Sequence, residues 1–189
     1  MSRHETRAIA DPVAIQETGG VRTIVGHAAV FNTFSKDLGG FVELIRPGAF
    51  ARAIKETDVR GLWNHKADYL LGRTSSGTVR LAEDERGLRY EIDLPDTQLG
   101  RDVAVLIGRG DITGSSFGFI VRPGGEKWRR EGSRSVRELI DLELIDVSPV
   151  TFPAYEAADV ALRSLEVWTQ QSLAQAAARA RRLRLAEAE

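Results

Sequence analysis

The stretch GSSFGFIVR, from Gly114 to Arg122, alternates apolar and small residues in the manner of a β-strand. Phe117 and Phe119 lie on one face of this strand, and we expect that face to point into a hydrophobic core. Ser116 lies on the other face with a glycine on either side of it, so another backbone can approach the serine closely. That setting suits a nucleophile, but on this pattern alone the simpler interpretation is a twisted or bulged strand that needs glycine for its curvature.

A second long strand is predicted further along the chain, from Val136 to about Val150. If its alternation is unbroken, Asp146 ends an apolar row of side chains. A carboxylate directed toward a core needs a partner, and a histidine is one natural partner. The alternative is a carboxylate at the solvated end of the strand that accepts hydrogen bonds from backbone N–H groups of the following turn.

His65 ends a predicted strand over residues 59–65, in the segment LWNHKADYLLGR, where a side chain can reach from a strand end into a cleft. A serine nucleophile needs a base that accepts its proton, and the base benefits from a third group that fixes its tautomer. Ser116, His65 and Asp146 are the residue types that this division of roles requires. Their separation along the chain neither supports nor excludes contact.

The rest of the first 150 residues consists of short strands, glycine-rich turns and a few helices. The clearest hairpin has strands over residues 78–82 and 88–94 around an EDERG turn. A strand is predicted over residues 21–31, a short helix from Pro47, a helix over LGRDVAVLI after a cap at Asp96 or Thr97, and a polar loop over residues 123–135. There is no regular βαβ alternation, so we predict a mixed α/β, β-rich fold in which a β-barrel or compact sheet is surrounded by helices.

The composition excludes several classes of site. Among the 189 residues there is no cysteine, which excludes a disulfide scaffold, a thiolate zinc site and a cysteine nucleophile. Three scattered histidines, His4, His27 and His65, and no HExxH motif argue against a catalytic metal, and we expect no cofactor. The longest apolar stretches are too short for a membrane span, and the N-terminus lacks the apolar core of a signal peptide, so we expect a cytoplasmic protein.

Glycine distribution and charge suggest the domain organisation. The last 25 residues contain no glycine and are rich in helix formers, so we predict a flexible N-terminal arm (1–20), a main domain (21–163) and a helical tail (164–189). The formal net charge is −1, which gives no general case for nucleic acid as a partner. The exception is a weak basic patch in the tail, which is more simply a solvated helix face. Its residues are Arg179, Arg181, Arg182 and Arg184.

Five sequence blocks are specific in combination, although each alone is weak. They are GHAAVFNTFS from Gly26, ELIRPGAF from Glu43, LWNH ending at His65, GSSFGF around Ser116, and LELIDVSPVTFPAYEAA from Leu142. In this order they resemble the prohead (capsid maturation) proteases of tailed bacteriophages, the HK97-type family, which also occurs in prophages and gene transfer agents. The resemblance covers roughly residues 20 to 163.

The resemblance implies a serine endopeptidase with a fold like that of the herpesvirus assemblins, a β-barrel surrounded by helices. By motif, the family's histidine falls on His65 and its serine on the residue before FGF, which is Ser116. Ser115 is a rival only if the register is shifted by one residue, in which case it would point to the core face with the phenylalanines.

The third catalytic member is implied by the block LELIDVS. The family pattern usually has an acidic residue, most often glutamate, directly before VS, and this chain has Asp146 there. If the strand alternates without interruption, Glu143 and Asp141 lie on the opposite face from Asp146. We therefore expect His65, Ser116 and Asp146 to form the catalytic set.

The implied function is cleavage of capsid and scaffold proteins during prohead maturation, together with cleavage of the protease itself. The implied partners are the major capsid protein and its scaffolding segment, with a homodimer expected only by analogy and no membrane partner. The implied location is the assembling procapsid in the cytoplasm of the bacterial host. The alternative is a non-catalytic assembly scaffold of the same fold. A small-molecule esterase is disfavoured because GSSFG, from Gly114 to Gly118, has the letters of a GxSxG motif but lies within a predicted strand, whereas a nucleophile elbow requires a strand-to-helix turn.

Overall fold

The computed structural model of the protein describes residues 4–153 and 159–186. The chain divides into two compact units, a body (Met1–Glu156) and a tail (Ala157–Glu189). The strands of the body are β1 (Glu5–Ile9), β2 (Ala14–Thr18), β3 (Val21–Val30), β4 (Phe41–Ile45), β5 (Arg60–Trp63), β6 (Lys66–Arg73), β7 (Val79–Glu83), β8 (Gly87–Asp93), β9 (Gly114–Val121), β10 (Glu126–Glu131), β11 (Arg134–Leu139) and β12 (Leu142–Val150). Its α-helices are α1 (Ala51–Glu56) and α2 (Gln98–Gly108).

The strands of the described residues form three sheets. The five-stranded sheet has the order β1-β9-β12-β5-β6, the four-stranded sheet the order β2-β3-β8-β7, and the three-stranded sheet the order β10-β11-β4. The prediction of a mixed, strand-rich fold is confirmed. These strand orders are open, so the part of the chain that the structure describes contains no closed barrel, and that element of the prediction is not supported.

Strand β9 is central to the five-stranded sheet, between β1 and β12. As its alternation predicts, Phe117 and Phe119 are fully buried in the main core, where their rings stack with centroids 5.0 Å apart. Phe50, the N-cap residue of α1, packs edge-on against Phe117 with ring centroids 5.3 Å apart. This aromatic cluster fixes the core face of β9 and so leaves Ser116 on the opposite face.

Strand β12 does not alternate without interruption. Leu144 lies opposite Phe119, whereas Asp146 lies opposite Gly118, so Ile145 is an extra residue on β12, a β-bulge. Residues directly opposite in an antiparallel pair point to the same side of the sheet. The bulge therefore moves Asp146 from the core face, where an unbroken alternation would place it, to the face of β9 that carries the serine. The expected unbroken apolar row is wrong for this reason.

The helices and the clearest hairpin follow their sequence signals. In the hairpin β7–β8, Leu81 lies opposite Tyr90 and Val79 opposite Ile92, as predicted. Helix α2 begins after Thr97, whose side chain accepts a hydrogen bond from the N–H of Gly100 at 3.2 Å. Each of these elements has the periodic apolar pattern or the cap that the prediction used.

Two predicted segments need correction. The sequence predicts a flexible arm over residues 1–20, whereas residues 5–9 and 14–18 form β1 and β2, each paired along its length. It also predicts a polar loop over residues 123–135, where the structure has β10 paired with β11. Charged side chains of β1, β10 and β11 form ion pairs, which hydrophobic periodicity does not reveal. Strand β2 packs Ile15 against the main core, but it is too short for a clear apolar pattern.

The tail contains a single described helix, α3 (Asp159–Ala186). It begins five residues before the tail predicted at 164–189. Over residues 162–183 its side chains are exposed or half-buried. Arg179, Arg181 and Arg182 lie on this helix, as does the backbone of Arg184.

Candidate active site

His65 is carried by a tight turn rather than by a loop. Strands β5 and β6 pair up to Trp63 and Lys66, which leaves Asn64 and His65 as the two turn residues. Both have positive φ, 53° and 57°, the combination that defines a type I′ hairpin turn. Asn64 ties the turn to the residue after β12, since its Oδ1 accepts the N–H of Thr151 at 2.9 Å. The imidazole therefore projects from a fixed backbone position.

The structure brings together Ser116 on β9, His65 in the β5–β6 turn and Asp146 on β12. The three side chains form one hydrogen-bonded chain. His65 Nε2 lies 2.5 Å from Ser116 Oγ, and His65 Nδ1 lies 2.6 Å from Asp146 Oδ1. An ionised carboxylate can only accept, so Nδ1 carries the imidazole proton and Nε2 is free to accept the serine proton. Asp146 and Ser116 are each 2% exposed, whereas the His65 side chain is 22% exposed.

The serine hydroxyl has a second acceptor within reach. The main-chain oxygen of Arg7, on β1, lies 2.9 Å from Ser116 Oγ. One hydroxyl proton cannot serve two acceptors fully, so it donates to the imidazole when His65 is neutral and can turn to the carbonyl when His65 is protonated. Strand β1 thus belongs to the surroundings of the serine.

A pocket of about 250 Å³ opens beside the serine. Strand β1 forms one wall of the pocket through Thr6 and Ala8, and β12 with the residues that follow it forms another. Phe152 stands at this second wall with 82% of its surface exposed. His65 is the only ionisable side chain that lines the pocket, within the described residues.

The rival residues lie elsewhere. Ser115 is fully buried on the core face of β9, where its hydroxyl lies 2.8 Å from that of Tyr90. Burial raises the pKa of the Tyr90 phenol above its usual value, although the hydrogen bond with Ser115 counteracts this, so the pair is two neutral hydroxyls. Asp141 and Glu143 are 36% and 42% exposed, and both face Arg122 rather than His65.

The other two histidines have different positions. His4 lies near the site, with Nε2 4.0 Å from Asp146 Oδ2, although the sequence predicts only a flexible arm there. His27 lies in the four-stranded sheet, where its Nε2 is 2.8 Å from Asp84 Oδ2. This hydrogen bond is the main cause that lowers the pKa of Asp84 to about 2. His27 therefore has a hydrogen-bond partner outside the candidate site.

Strand β1 is anchored by a buried cluster of charges. Arg7 contacts Glu43 and Glu5, each at 2.8 Å, and Arg137 contacts the same two carboxylates at 2.9 Å. All four side chains are 3% exposed or less. Burial alone would raise the pKa of Glu5, but hydrogen bonds and charges from Arg137 and Arg7 outweigh it, so the pKa lies below its usual value.

The described residues contain no group of three or more histidine, aspartate or glutamate side chains arranged to hold a metal ion. Among the same residues, no helix is both long and apolar enough to cross a membrane.

Sequence reasoning missed several groups that surround the three candidate residues. One is Ser148, whose hydroxyl donates to Asp146 Oδ1 at 2.7 Å, and others are Asn64 and the Arg7 carbonyl. The i, i+2 spacing of Asp146 and Ser148 on one strand was a usable signal for the first. Asn64, as a residue that favours positive φ, was a signal for the turn. No sequence pattern indicates a main-chain carbonyl from a paired strand.

Comparison with known proteins supports the resemblance of the five blocks. The family model described as Caudovirus prohead serine protease matches residues 11–171. Among solved structures, the capsid assembly protease of bacteriophage T4 superposes with a TM-score of 0.52 at 11% identity, covering 80% of this chain and 98% of that one. That similarity shows a shared fold. No curated protein matches. Since the family model spans most of the sequence, the chain belongs to the Caudovirus prohead serine protease family, whose members mature phage capsids.

Proposed function

We propose that the protein is an active serine endopeptidase in which Ser116 is the nucleophile, His65 the general base and Asp146 the residue that orients and stabilises the imidazolium. The observation that carries this proposal is the unbroken hydrogen-bonded chain from Ser116 Oγ through the His65 ring to Asp146 Oδ1, with distances of 2.5 and 2.6 Å. Membership of a peptidase family supports the same roles.

In the proposed reaction, His65 Nε2 takes the proton of Ser116 as Oγ attacks the carbonyl carbon of the scissile peptide. The tetrahedral intermediate collapses when the imidazolium gives its proton to the leaving amine, which leaves an acyl-enzyme on Ser116. A water molecule then gives a proton to His65 and attacks the ester, and the serine is released when Nε2 returns that proton to Oγ. Asp146 remains ionised throughout and keeps Nδ1–H in place.

We propose as substrates the capsid and scaffold proteins of the assembling prohead, and the protease itself. Family membership implies contact with capsid proteins, and the similar T4 protein is named a capsid assembly protease. Cleavage then takes place inside the procapsid, in the cytoplasm of the bacterial host. A homodimer and a weak contact of the tail arginines with nucleic acid stay predictions.

The decisive experiment is co-expression with the cognate major capsid protein, followed by gel and mass analysis of that protein. We expect processed capsid protein with the wild-type chain and none with Ser116→Ala or His65→Ala. Asp146→Asn keeps the volume of the side chain but removes its charge, so we expect residual processing above that of Ser116→Ala. Ser115→Ala is the matched control, because it removes a neighbouring buried serine hydroxyl on the opposite face and should leave processing intact.

An uncut capsid protein in the presence of a folded wild-type chain would contradict the proposal. It would favour a non-catalytic scaffold with the same fold, particularly if assembled shells still required the protein. Processing that persists with Ser116→Ala would equally exclude Ser116 as the nucleophile.

A further inference from the structure

Ser148 makes contacts that none of the proposed catalytic steps uses. It lies on β12 two residues beyond Asp146, and it is fully buried. Its hydroxyl donates to Asp146 Oδ1 at 2.7 Å, and its oxygen accepts the backbone N–H of His65 at 3.3 Å. A single hydroxyl therefore joins the carboxylate and the backbone of the residue that bears the imidazole.

The contact with His65 matters because of the backbone conformation there. His65 has φ of 57°, in the left-handed region that residues with a Cβ avoid, so neighbouring contacts must hold it. Residues 148–151 supply these contacts: Pro149 O accepts the N–H of Asn64 at 3.2 Å, and Thr151 is held by the Asn64 side chain. Ser148 is the member of this group that also contacts the carboxylate.

The contact with Asp146 fixes which carboxylate oxygen faces the imidazole. Oδ1 accepts from both His65 Nδ1 and Ser148 Oγ, whereas Oδ2 points toward His4. A buried carboxylate needs donors, and a carboxylate that loses one can rotate about its Cβ–Cγ bond to seek another. The Ser148 hydroxyl opposes that rotation because it holds the same oxygen, Oδ1, that the imidazole contacts.

We propose that Ser148 is a positioning residue of the active site, whose hydroxyl orients the Asp146 carboxylate and couples it to the turn that carries His65. The effect of Ser148 on catalysis rests on the proposed protease function. Its effect on the titration of the His65–Asp146 pair is independent of that function.

The direction of the effect on the pair follows from charge. The Ser148 hydroxyl places a partial positive charge against Asp146 Oδ1, so its removal leaves more negative charge facing His65 and favours the protonated pair. Three side chains with basic groups lie on neighbouring residues: His4 has Nε2 4.0 Å from Asp146 Oδ2, Arg60 on β5 lies opposite Asp146 and contacts Asp58, and Lys66 follows His65 and has its ammonium over the Tyr69 ring. The Ser148 substitution changes none of them, so they act equally in both proteins.

The primary test is an NMR titration of the histidine rings in the full chain with Ser148→Ala. The chain has three histidines, so the His65 signal can be assigned by His4→Gln and His27→Gln variants. We expect the midpoint of the His65 titration to move up by about half a pH unit to one unit. Ser115→Ala is the matched control, since it deletes a buried serine hydroxyl on the neighbouring strand without contact with the pair.

The second readout is the rate at which a fluorophosphonate labels the protein, which requires no knowledge of the cleavage sequence. We expect Ser148→Ala to react about tenfold more slowly than wild type, the scale of one hydrogen bond to a charged group. If Ser148→Ala does not fold, Ser148→Cys, whose thiol is a poor donor of similar size, is measured instead with the same expected directions.

A His65 titration midpoint in the Ser148 variant equal to that in Ser115→Ala would overturn the inference, whatever the labelling rates. A shifted midpoint together with a wild-type chain that never reacts with the fluorophosphonate would support the positioning role and overturn the proposed protease function. The two failures are thereby distinguished.

Discussion

At the scale of one residue, Gly118 shows how closely the side chains of the candidate site are packed. A Cβ added there would overlap Asp146 Oδ2 and His4 Nε2. Because the carboxylate is buried and already hydrogen-bonded, it cannot move away without breaking its contact with His65. We therefore expect Gly118→Ala to lower capsid processing at least about tenfold and to destabilise the fold by about 1–3 kcal/mol, the usual cost of overpacking. Processing during co-expression and urea unfolding measure the two effects.

Gly108 provides the matched control for that substitution. It lies in helix α2, and a Cβ there would meet nothing within 4 Å. Alanine in a helix is more favourable than glycine by about 1 kcal/mol, so Gly108→Ala should be neutral or stabilising and fully active. Normal processing by Gly118→Ala would show that the carboxylate position is not critical.

At the scale of a residue, the sequence indicated which residues are candidates for the site better than it indicated what surrounds them. The alternation of β9 was sufficient to place Ser116 opposite the phenylalanines, because that strand has no irregularity. The face of Asp146 could not be derived the same way, since the bulge at Ile145 depends on pairing with β9 and has no local signature. The motif nevertheless pointed to Asp146, and its catalytic role stays a prediction with those of His65 and Ser116.

At the scale of a secondary-structure element, strand β1 shows how buried charges affect the stability of the fold. Arg137 and Arg7 keep the pKa of Glu5 below its usual value against the opposing effect of burial. A group with a lowered folded-state pKa stabilises the fold above its unfolded-state pKa, and this contribution is lost as the pH falls through the folded-state value. At pH 7 we expect Glu5→Gln to be less stable than wild type by about 3–5 kcal/mol, because it leaves two buried arginines short of a partner.

The same reasoning predicts the pH dependence. Below about pH 4 the Glu5 carboxylate takes up a proton in the unfolded chain while the folded protein still holds it ionised, so the stability difference from Glu5→Gln should shrink as the pH falls. Urea unfolding of both proteins at pH 7 and at about pH 3.5 measures the change. The exposed pair Arg52–Glu56 supplies the control, and Glu56→Gln should change stability by less than about 0.5 kcal/mol. A pH-independent difference for Glu5→Gln would contradict the proposed importance of its charge.

Elements were predictable where apolar periodicity or a cap defines them, as in β3, β9, the β7–β8 hairpin and α2. They were missed where ionic side chains are buried. Glu5 and Arg7 on β1 are charged residues that normally indicate exposure, yet partners from distant parts of the chain neutralise them in the interior. Such partners become neighbours only in the folded chain, so a local pattern cannot reveal them.

At the scale of the whole molecule, the body has its own core and carries all three candidate residues. The main core cluster consists of residues from Ile24 to Val147, and Ser116, His65 and Asp146 all precede the tail. We therefore expect a chain that ends at Glu156 to unfold within about 3 °C of the full protein and to react with a fluorophosphonate at the same rate. Thermal unfolding and labelling kinetics test this, and loss of either property would show that the body depends on the tail.

The overall architecture was predictable only in class. Short alternating stretches between glycine-rich turns predicted a strand-rich fold, and that is confirmed. The division into three open sheets was not predicted, because strand order depends on long-range pairings such as the parallel contact of β11 with β4, which follows from no local pattern. The near-zero net charge averages over both units and does not indicate a partner.

The most direct test of the proposed catalytic chain is intact-mass analysis of the full protein after reaction with a fluorophosphonate. We predict one adduct per wild-type chain, located on Ser116 by peptide mapping, with no adduct on Ser116→Ala and a strongly reduced rate for His65→Ala, while Ser115→Ala reacts like wild type. An adduct that persists on Ser116→Ala, or a folded wild-type chain that remains unmodified, would contradict a Ser116–His65–Asp146 catalytic site.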